Sequence, residues 1–166
     1  MIRISLHHGK TVFIDANIFL TIIFEAPEAA NPSVRFMEHI HNGDMYGATS
    51  VIVLNEIIHR LLIAEAVQKA RISAESAISF LKSHPQYIRD ASTVWGLVED
   101  IRNIQNLKIY GISENTFAFS IDIMRQSGLL SNDALHIACM KENSINTIAT
   151  YDRDFEKIPQ IKVLKP

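Results

Sequence analysis

The sequence predicts an α/β fold in which a mostly parallel sheet of five strands is covered by helices on both faces. Short runs rich in β-branched residues alternate with longer segments of helical periodicity, and this order is typical of parallel sheets. The first run, TVFI, is unbroken and apolar, as a central strand buried on both faces should be. These two observations carry the prediction of the fold class.

The first helix with clear boundaries follows this strand. Asn31 suits the capping position and Pro32 suits the first helical position. Gly43 can end the helix in a left-handed conformation. MYGATS then predicts a second strand, and from Ser50 the apolar residues recur at helical spacing, which indicates a helix with one stripe facing a core.

The middle of the chain predicts two more helices, from about residue 73 to 83 and from about residue 90 to 103. Strands are then expected in NLKIYGI, NTIAT and IKVL. Ser113 can cap the helix after the third strand and Gly128 can end it. The residues expected on its inner stripe are Phe117, Ile121 and Met124. Ser131 or Asn132 can cap the next helix, so we expect six or seven helices in all.

Length and composition predict a single domain over residues 1–166. The net charge of −2 argues against a protein that binds nucleic acid through its global charge. The most basic stretch is either a local binding patch or a solvated helix face, and it comprises Arg60, Lys69, Arg71, Lys82 and Arg89. MIRISLHHGK lacks the apolar core of a secretory signal, and a cytoplasmic location fits. Cys139 is the only cysteine and is expected to be a buried thiol.

Four acidic residues occur where a carboxylate is difficult to explain by solvation alone. Asp15 and Asp152 directly follow β-type runs, whereas Glu56 and Asp133 lie near the starts of helices. Strand ends and helix starts meet along one edge of a parallel sheet, where open α/β sheets bind ligands. Converging carboxylates repel one another, and a divalent cation with oxygen ligands resolves the repulsion. The pattern therefore predicts a metal site.

Each acidic residue also has a purely structural alternative. Asp15 can be a helix cap or a turn residue, Glu56 can pair with Arg60 on a helix surface, and Asp133 can favour the dipole of its helix. Asp152 is preferred to Asp154 as a ligand because it lies nearer the strand end, and the other aspartate can cap the short turn DFEKI. Asn17 can hold Asp15 by a side-chain hydrogen bond, or it is a plain turn asparagine.

Taken together, the acidic segments resemble a known family. TVFIDANIFL, VLNEIIHRL, LLSNDALHIACM and IATYDRDFEKI are similar, in this order, to the acidic motifs of PIN domains. The runs DALHIA and T-x-D-x-DF are especially similar to VapC-type ribonuclease toxins of toxin–antitoxin pairs. The resemblance extends from about residue 11 to the C-terminus, although residues 70–106 carry no motif. It implies a three-layer α/β/α PIN-like fold.

The resemblance also implies metal-dependent cleavage of RNA. The acidic quartet would be Asp15, Glu56, Asp133 and Asp152, with Asp154 as a further metal ligand. Its cofactor would be one or two ions of Mg²⁺ or Mn²⁺. Arg60 on the glutamate helix and Arg153 between the two aspartates are the candidates for contact with the substrate.

A toxin role implies a small antitoxin protein as a partner, and a homodimer is expected. The apolar faces of residues 51–66 and 73–103 would form the partner groove and the dimer surface, or they simply fill the core. Two other functions stay open on the sequence alone. One is a DNase or structure-selective nuclease with the same metal site, and the other is a non-catalytic PIN-like interaction module.

Overall fold

A computed structural model describes residues 11–25 and 31–166 of the chain. These residues form two compact units. The first combines the described residues up to Val53 with Gln105–Pro166, and the second is Leu54–Ile104. The N-terminal stretch MIRISLHHGK lies outside the described residues.

The first unit is built on a five-stranded sheet, as predicted. Its strands are β1 (Thr11–Ile14), β2 (Tyr46–Ser50), β3 (Leu107–Tyr110), β4 (Thr147–Ala149) and β5 (Lys162–Leu164). The strand order is β3-β2-β1-β4-β5, and all four pairings are parallel. In the central strand β1, Phe13 and Ile14 are fully buried. The predicted position of TVFI in the middle of the sheet is confirmed.

Helices flank this sheet and give a three-layer α/β arrangement. They are α1 (Ala16–Phe24), α2 (Pro32–His41), the start of α3 (Val51–Ala70), α7 (Glu114–Ser127) and α8 (Ser131–Glu142). A short 3-10 helix, Asp154–Lys157, precedes β5. Within the described ranges, no helix is long and apolar enough to cross a membrane.

The predicted helix boundaries are largely confirmed, because capping chemistry is local. The Asn31 side chain accepts a hydrogen bond from the Ser33 amide at the start of α2, and Gly43 follows this helix with φ of 82°. Ser113 and Thr116 form a reciprocal capping box at the start of α7, and Gly128 ends that helix with φ of 73°.

The second unit is helical. It contains α3 from Leu54 onwards and three further helices, α4 (Ala74–Ser83), α5 (Gln86–Arg89) and α6 (Ser92–Arg102). A small cluster of Ala66, Ala77 and Leu81 forms part of its core. The basic residues of this region are all exposed: Arg60, Lys69, Arg71, Lys82 and Arg89. Lys69 forms an ion pair with Glu65.

Three predictions about the helices are wrong. Six or seven helices were expected, but the described residues contain eight α-helices. The two that the sequence did not predict are α1, which has a strand-like composition, and α5, which is a single turn with no detectable periodicity. The predicted inner stripe of α7 is also wrong. Phe117 is 53% exposed, and Ile121 and Met124 are only half-buried.

The buried face of α7 is instead formed by Thr116, Ser120 and Ile123. The two hydroxyl groups are satisfied by hydrogen bonds, from Thr116 to the carboxylate of Glu142 and from Ser120 to the Phe117 carbonyl. Burial therefore does not follow hydrophobicity on this helix. At α8, the capping residue is Leu130 and no side chain caps the helix, so the assignment to Ser131 or Asn132 is wrong.

Candidate active site

Asp15 lies at the carboxyl end of the central strand and begins α1. Its Oδ1 atom accepts a 2.6 Å hydrogen bond from the Ala16 amide, so the carboxylate is the cap of this helix. It is also only 7% exposed, although a buried carboxylate is unusual without strong partners. The two interpretations of Asp15, as a cap and as a site residue, are therefore compatible.

A compact network of side chains holds the other oxygen of Asp15. Oδ2 accepts hydrogen bonds from Nδ2 of Asn17 at 2.7 Å and from Oγ1 of Thr150 at 2.6 Å. Nδ2 of Asn17 also lies 2.8 Å from Oγ1 of Thr150. The predicted contact between Asn17 and Asp15 is confirmed. With both oxygens engaged, the carboxylate has one well-defined orientation.

The same network positions the segment that follows β4. The Tyr151 amide donates to Oδ1 of Asn17 at 3.2 Å, and the Asp152 amide donates to Oγ1 of Thr150 at 3.0 Å. The Tyr151 hydroxyl donates to the Pro166 main-chain oxygen at 3.0 Å and lies 2.6 Å from the Ser33 hydroxyl. Asp152 is therefore placed relative to Asp15 by hydrogen bonds through Thr150.

Three further carboxylates converge at the start of α8. One oxygen each of Asp133, Asp152 and Asp154 lies within 4.8 Å of the others, and all three residues are half-buried. We call this group the acidic trio. Oδ1 of Asp152 accepts a 2.8 Å hydrogen bond from the Asp154 amide. It is therefore Asp152 that satisfies the turn, whereas Asp154 forms an ion pair of 2.5 Å with Lys157.

His136 is a buried residue near Asp15 that was not among the site residues predicted from the sequence. It is 1% exposed, and a ring nitrogen lies within 4.8 Å of a carboxylate oxygen of Asp15. Its Nδ1 atom has no hydrogen-bond partner among the described residues. Burial lowers the pKa of His136, and the charge of Asp15 opposes this effect. The only feature of the sequence that pointed to a position near the acidic residues was its spacing of three residues from Asp133 on one helix.

The donors fit a divalent cation of the Mg²⁺ type. The acidic trio supplies carboxylate oxygens within a few ångströms of one another, which are the ligands that such ions prefer. Without a cation, three converging carboxylates would repel one another. The Nδ1 atom of His136 is a further buried polar atom, without a hydrogen-bond partner among the described residues. This chemistry suits cation binding better than a purely structural role.

The remaining predicted residues lie on α3 and in the segment that follows β4. Glu56 is half-buried in the second turn of α3, a helix that begins directly after β2. Arg60 lies one turn further along α3 and is exposed. Arg153 is exposed between the two aspartates of the acidic trio. The first unit thus brings together Asp15 with Asn17 and, separately, the acidic trio.

Comparison with known proteins assigns this arrangement to a family. The chain is 22% identical over 165 residues to Ribonuclease VapC2 of Methanocaldococcus jannaschii, with 99% of each chain covered. It is 25% identical over 156 residues to Ribonuclease VapC6 of the same organism, with 94% of this chain and 97% of the relative covered.

A toxin–antitoxin complex from Klebsiella pneumoniae contains a chain of similar fold. The TM-score is 0.52 at 16% identity, with 93% of this chain and 96% of that chain covered, and this likeness concerns the fold alone. The sequence model of the PIN domain matches residues 12–161, which include all the acidic residues described above. The chain belongs to the PIN-domain family.

Proposed function

We propose that this protein is a metal-dependent endoribonuclease that hydrolyses RNA phosphodiester bonds, and that it is the toxin of a toxin–antitoxin pair. The observation that carries the proposal is the acidic trio beside a buried and fully oriented Asp15. Similarity to proteins named Ribonuclease VapC2 and Ribonuclease VapC6 over nearly the whole chain supports RNA as the substrate.

The proposed catalytic residues are Asp15, Glu56, Asp133 and Asp152. These four residues would bind one or two ions of Mg²⁺ or Mn²⁺, with Asp154 as an additional ligand. A bound ion of this kind lowers the pKa of water and polarises phosphoryl oxygens. Glu56 is included because α3 leaves the sheet at the carboxyl end of β2, the strand next to β1.

The protein's own side chains provide orientation and charge. Asn17 and Thr150 hold Asp15 in one orientation, so that the remaining lone pair on Oδ1 keeps a constant direction. Arg60 follows Glu56 by four residues and Arg153 lies between Asp152 and Asp154 in the sequence. Both are exposed cations, and they would attract the RNA backbone to an otherwise acidic site. Attack by water would leave products with a 5′-phosphate and a 3′-hydroxyl.

The wider context follows from the same proposal. The partner would be a small antitoxin protein, because a similar fold occurs in a toxin–antitoxin complex. We further infer a single PIN-like domain over residues 1–166, a homodimer, and a cytoplasmic location. The family match across residues 12–161 supports the domain assignment because it spans both compact units.

The decisive experiment is a cleavage assay on purified protein free of any partner. Labelled structured RNA and single-stranded DNA would each be incubated with Mg²⁺, with Mn²⁺ or with EDTA. We expect RNA cleavage that requires the metal and falls by about 100-fold or more in Asp15→Asn and Asp133→Asn. Asp122→Asn, an exposed change on α7, is the matched control and should retain activity.

The other outcomes are equally informative. Metal-dependent cleavage of DNA alone would identify a DNase with the same site. A folded protein that cleaves neither substrate and binds no metal in calorimetry would be a non-catalytic interaction module.

A further inference from the structure

A second polar cleft lies in the first unit, beyond the acidic trio. It has a volume of about 510 Å³ and is bounded by the C-terminal ends of α7 and α8 and by residues 157–160. The polar residues that line it are Gln126, Ser127, Lys141, Lys157 and Gln160. None of its described lining residues is acidic. The cleft is therefore cationic in a protein whose net charge is −2.

The hydrogen-bond donors of this cleft are its lysines and glutamines. The Ser127 hydroxyl already donates to the Ile123 carbonyl at 2.7 Å, so it is not available as a donor. The Lys141 ammonium lies 5.9 Å from the centre of the Phe119 ring. In the described part of the chain, no carboxylate lies within 4.0 Å of this ammonium. Apart from the Asp154 carboxylate that bonds to Lys157, the polar groups around the cleft are ammonium and amide donors, which suit an anion.

The cleft adjoins the acidic trio through one side chain. Lys157 lines the cleft, and its ammonium also bonds to Oδ1 of Asp154 at 2.5 Å. Helix α8 also connects the acidic trio to the cleft, because Asp133 lies in its first turn and Lys141 in its last turn. At 1.5 Å per residue, these two residues are separated by about 12 Å along the helix axis.

This separation corresponds to a few nucleotides of a polynucleotide chain. Successive phosphates of one strand rise by about 3.4 Å along a duplex axis and lie further apart in an extended single strand. We propose that this cleft binds a backbone phosphate of the RNA, a few nucleotides from the bond that is cleaved. The inference rests on the proposed function and adds a subsite to it.

The chemistry of the cleft selects a phosphate and does not select a particular base. Lys141 and Lys157 supply compact positive charges, and Gln126 and Gln160 supply amide donors. Binding of one phosphate there would position the strand so that a later phosphate reaches the acidic trio. Such contacts fix the register of the substrate without reading its sequence.

The test is the affinity for a fluorescently labelled single-stranded RNA, measured by anisotropy as a function of salt concentration. Asp15→Asn protein with Mg²⁺ is the background, since asparagine also caps helices well and cleavage is suppressed. In Lys141→Gln/Lys157→Gln, we expect binding about three- to tenfold weaker at low salt. The slope of log affinity against log salt should fall in magnitude by about 0.7, as expected for one lost phosphate contact on a single strand.

Two variants serve as controls for charge and for the acidic trio. Lys108→Gln/Lys162→Gln removes the same number of charges from exposed positions on the edge strands β3 and β5, outside the cleft. It should leave the slope nearly unchanged. Lys141→Gln alone keeps the ion pair of Lys157 with Asp154 and should produce about half of the change.

Two outcomes would overturn the subsite. Equal effects of the cleft variant and the edge-strand variant would mean that only general charge matters. Titration with inorganic phosphate, followed by NMR shifts of residues near Lys141, tests for a free-anion site. The cleft is a free-anion site and not an RNA subsite if phosphate binds there while the affinity for RNA is unchanged in the lysine variants. RNA cleavage by the wild-type chain is measured in parallel, so a failed subsite with intact cleavage is distinguishable from a failed ribonuclease proposal.

Discussion

The hydroxyl of Thr150 donates a 2.6 Å hydrogen bond to the carboxylate of Asp15, although the two residues are 135 positions apart. The bond joins the ends of two neighbouring strands, β1 and β4, at the carboxyl edge of the sheet. Thr150 is completely buried, and Asp15 is nearly so. The orientation of the central acidic residue therefore depends on the packing of these two strands.

Replacing Thr150 by valine, which has nearly the same shape, tests this relationship. The change removes a donor from Asp15 and an acceptor from the Asp152 amide. We expect a loss of about 1–3 kcal/mol in the free energy of unfolding, measured in urea, because buried polar groups lose partners. Activity should fall by about tenfold or more, as is usual for residues that orient ligands. Thr150→Ser keeps the hydroxyl and should retain most of the unfolding free energy and most of the activity. Equal stability of the valine variant and the wild type would show that the bond contributes nothing.

The acidic trio predicts opposite effects of one mutation with and without metal. Asp152→Asn retains an oxygen that can accept from the Asp154 amide but removes one of three converging charges. Without metal, the melting temperature of this variant should equal or exceed that of the wild type because repulsion is reduced. With Mg²⁺ at about 100 times its dissociation constant, the wild type should gain about 2.7 kcal/mol, and the variant much less.

Asp122→Asn is the control for this measurement because it removes an exposed charge from α7. It should respond to Mg²⁺ as the wild type does. If Asp152→Asn and Asp122→Asn respond to Mg²⁺ equally, the trio is not a metal site.

Cys139 predicts a loss of stability at alkaline pH. Burial, followed by the charge of Glu142, raises the pKa of the Cys139 thiol to about 11. Because the folded-state pKa lies above the unfolded value, the unfolded chain releases the thiol proton first as pH rises. Stability is therefore complete below about pH 8.5 and falls above it, by at most about 1.4 kcal/mol per pH unit. Urea unfolding between pH 7.5 and 9.5 would measure the fall.

Cys139→Ala isolates the contribution of the thiol, because lysines and tyrosines begin to titrate in the same range. The unfolding free energy of the alanine variant should depend less on pH than that of the wild type. In the native wild type, the thiol should also react with a disulfide reagent about a hundredfold more slowly than in urea, since thiolate is the reactive form. Rapid reaction of native protein would contradict the raised pKa.

Two glycines predict opposite effects of the same substitution. A Cβ atom at Gly47 in β2 would lie 2.9 Å from Leu107 and 3.1 Å from Ile14 side-chain carbons. We expect Gly47→Ala to cost about 1–3 kcal/mol of unfolding free energy through overpacking. A Cβ at Gly96 in α6 meets no atom within 4 Å among the described residues, so Gly96→Ala should stabilise the helix by about 0.5–1 kcal/mol. Chemical denaturation of both variants would measure the difference in unfolding free energy. An unchanged unfolding free energy in Gly47→Ala would show that the sheet relaxes to accommodate the added methyl group.

Much of the geometry of the candidate site follows from local features of the sequence. Asp15 was identifiable as the residue that directly follows a buried strand, and Asp152 as an acidic residue shortly after the fourth strand. The prediction that Asn17 bonds to Asp15 needed only a spacing of two residues. The ion pair of Asp154 with Lys157 could not be predicted, because the geometry of the turn sets it.

The sequence alone predicts the five parallel strands, most of the helices and the acidic residues at the carboxyl edge of the sheet. These features depend on periodicity, caps and strand ends, which act over a few residues. Long-range packing sets which face of α7 is buried, that His136 lies beside Asp15, and that Thr150 orients Asp15. Each of these depends on contacts between distant segments, where a buried polar group is stabilised by partners that local sequence cannot specify.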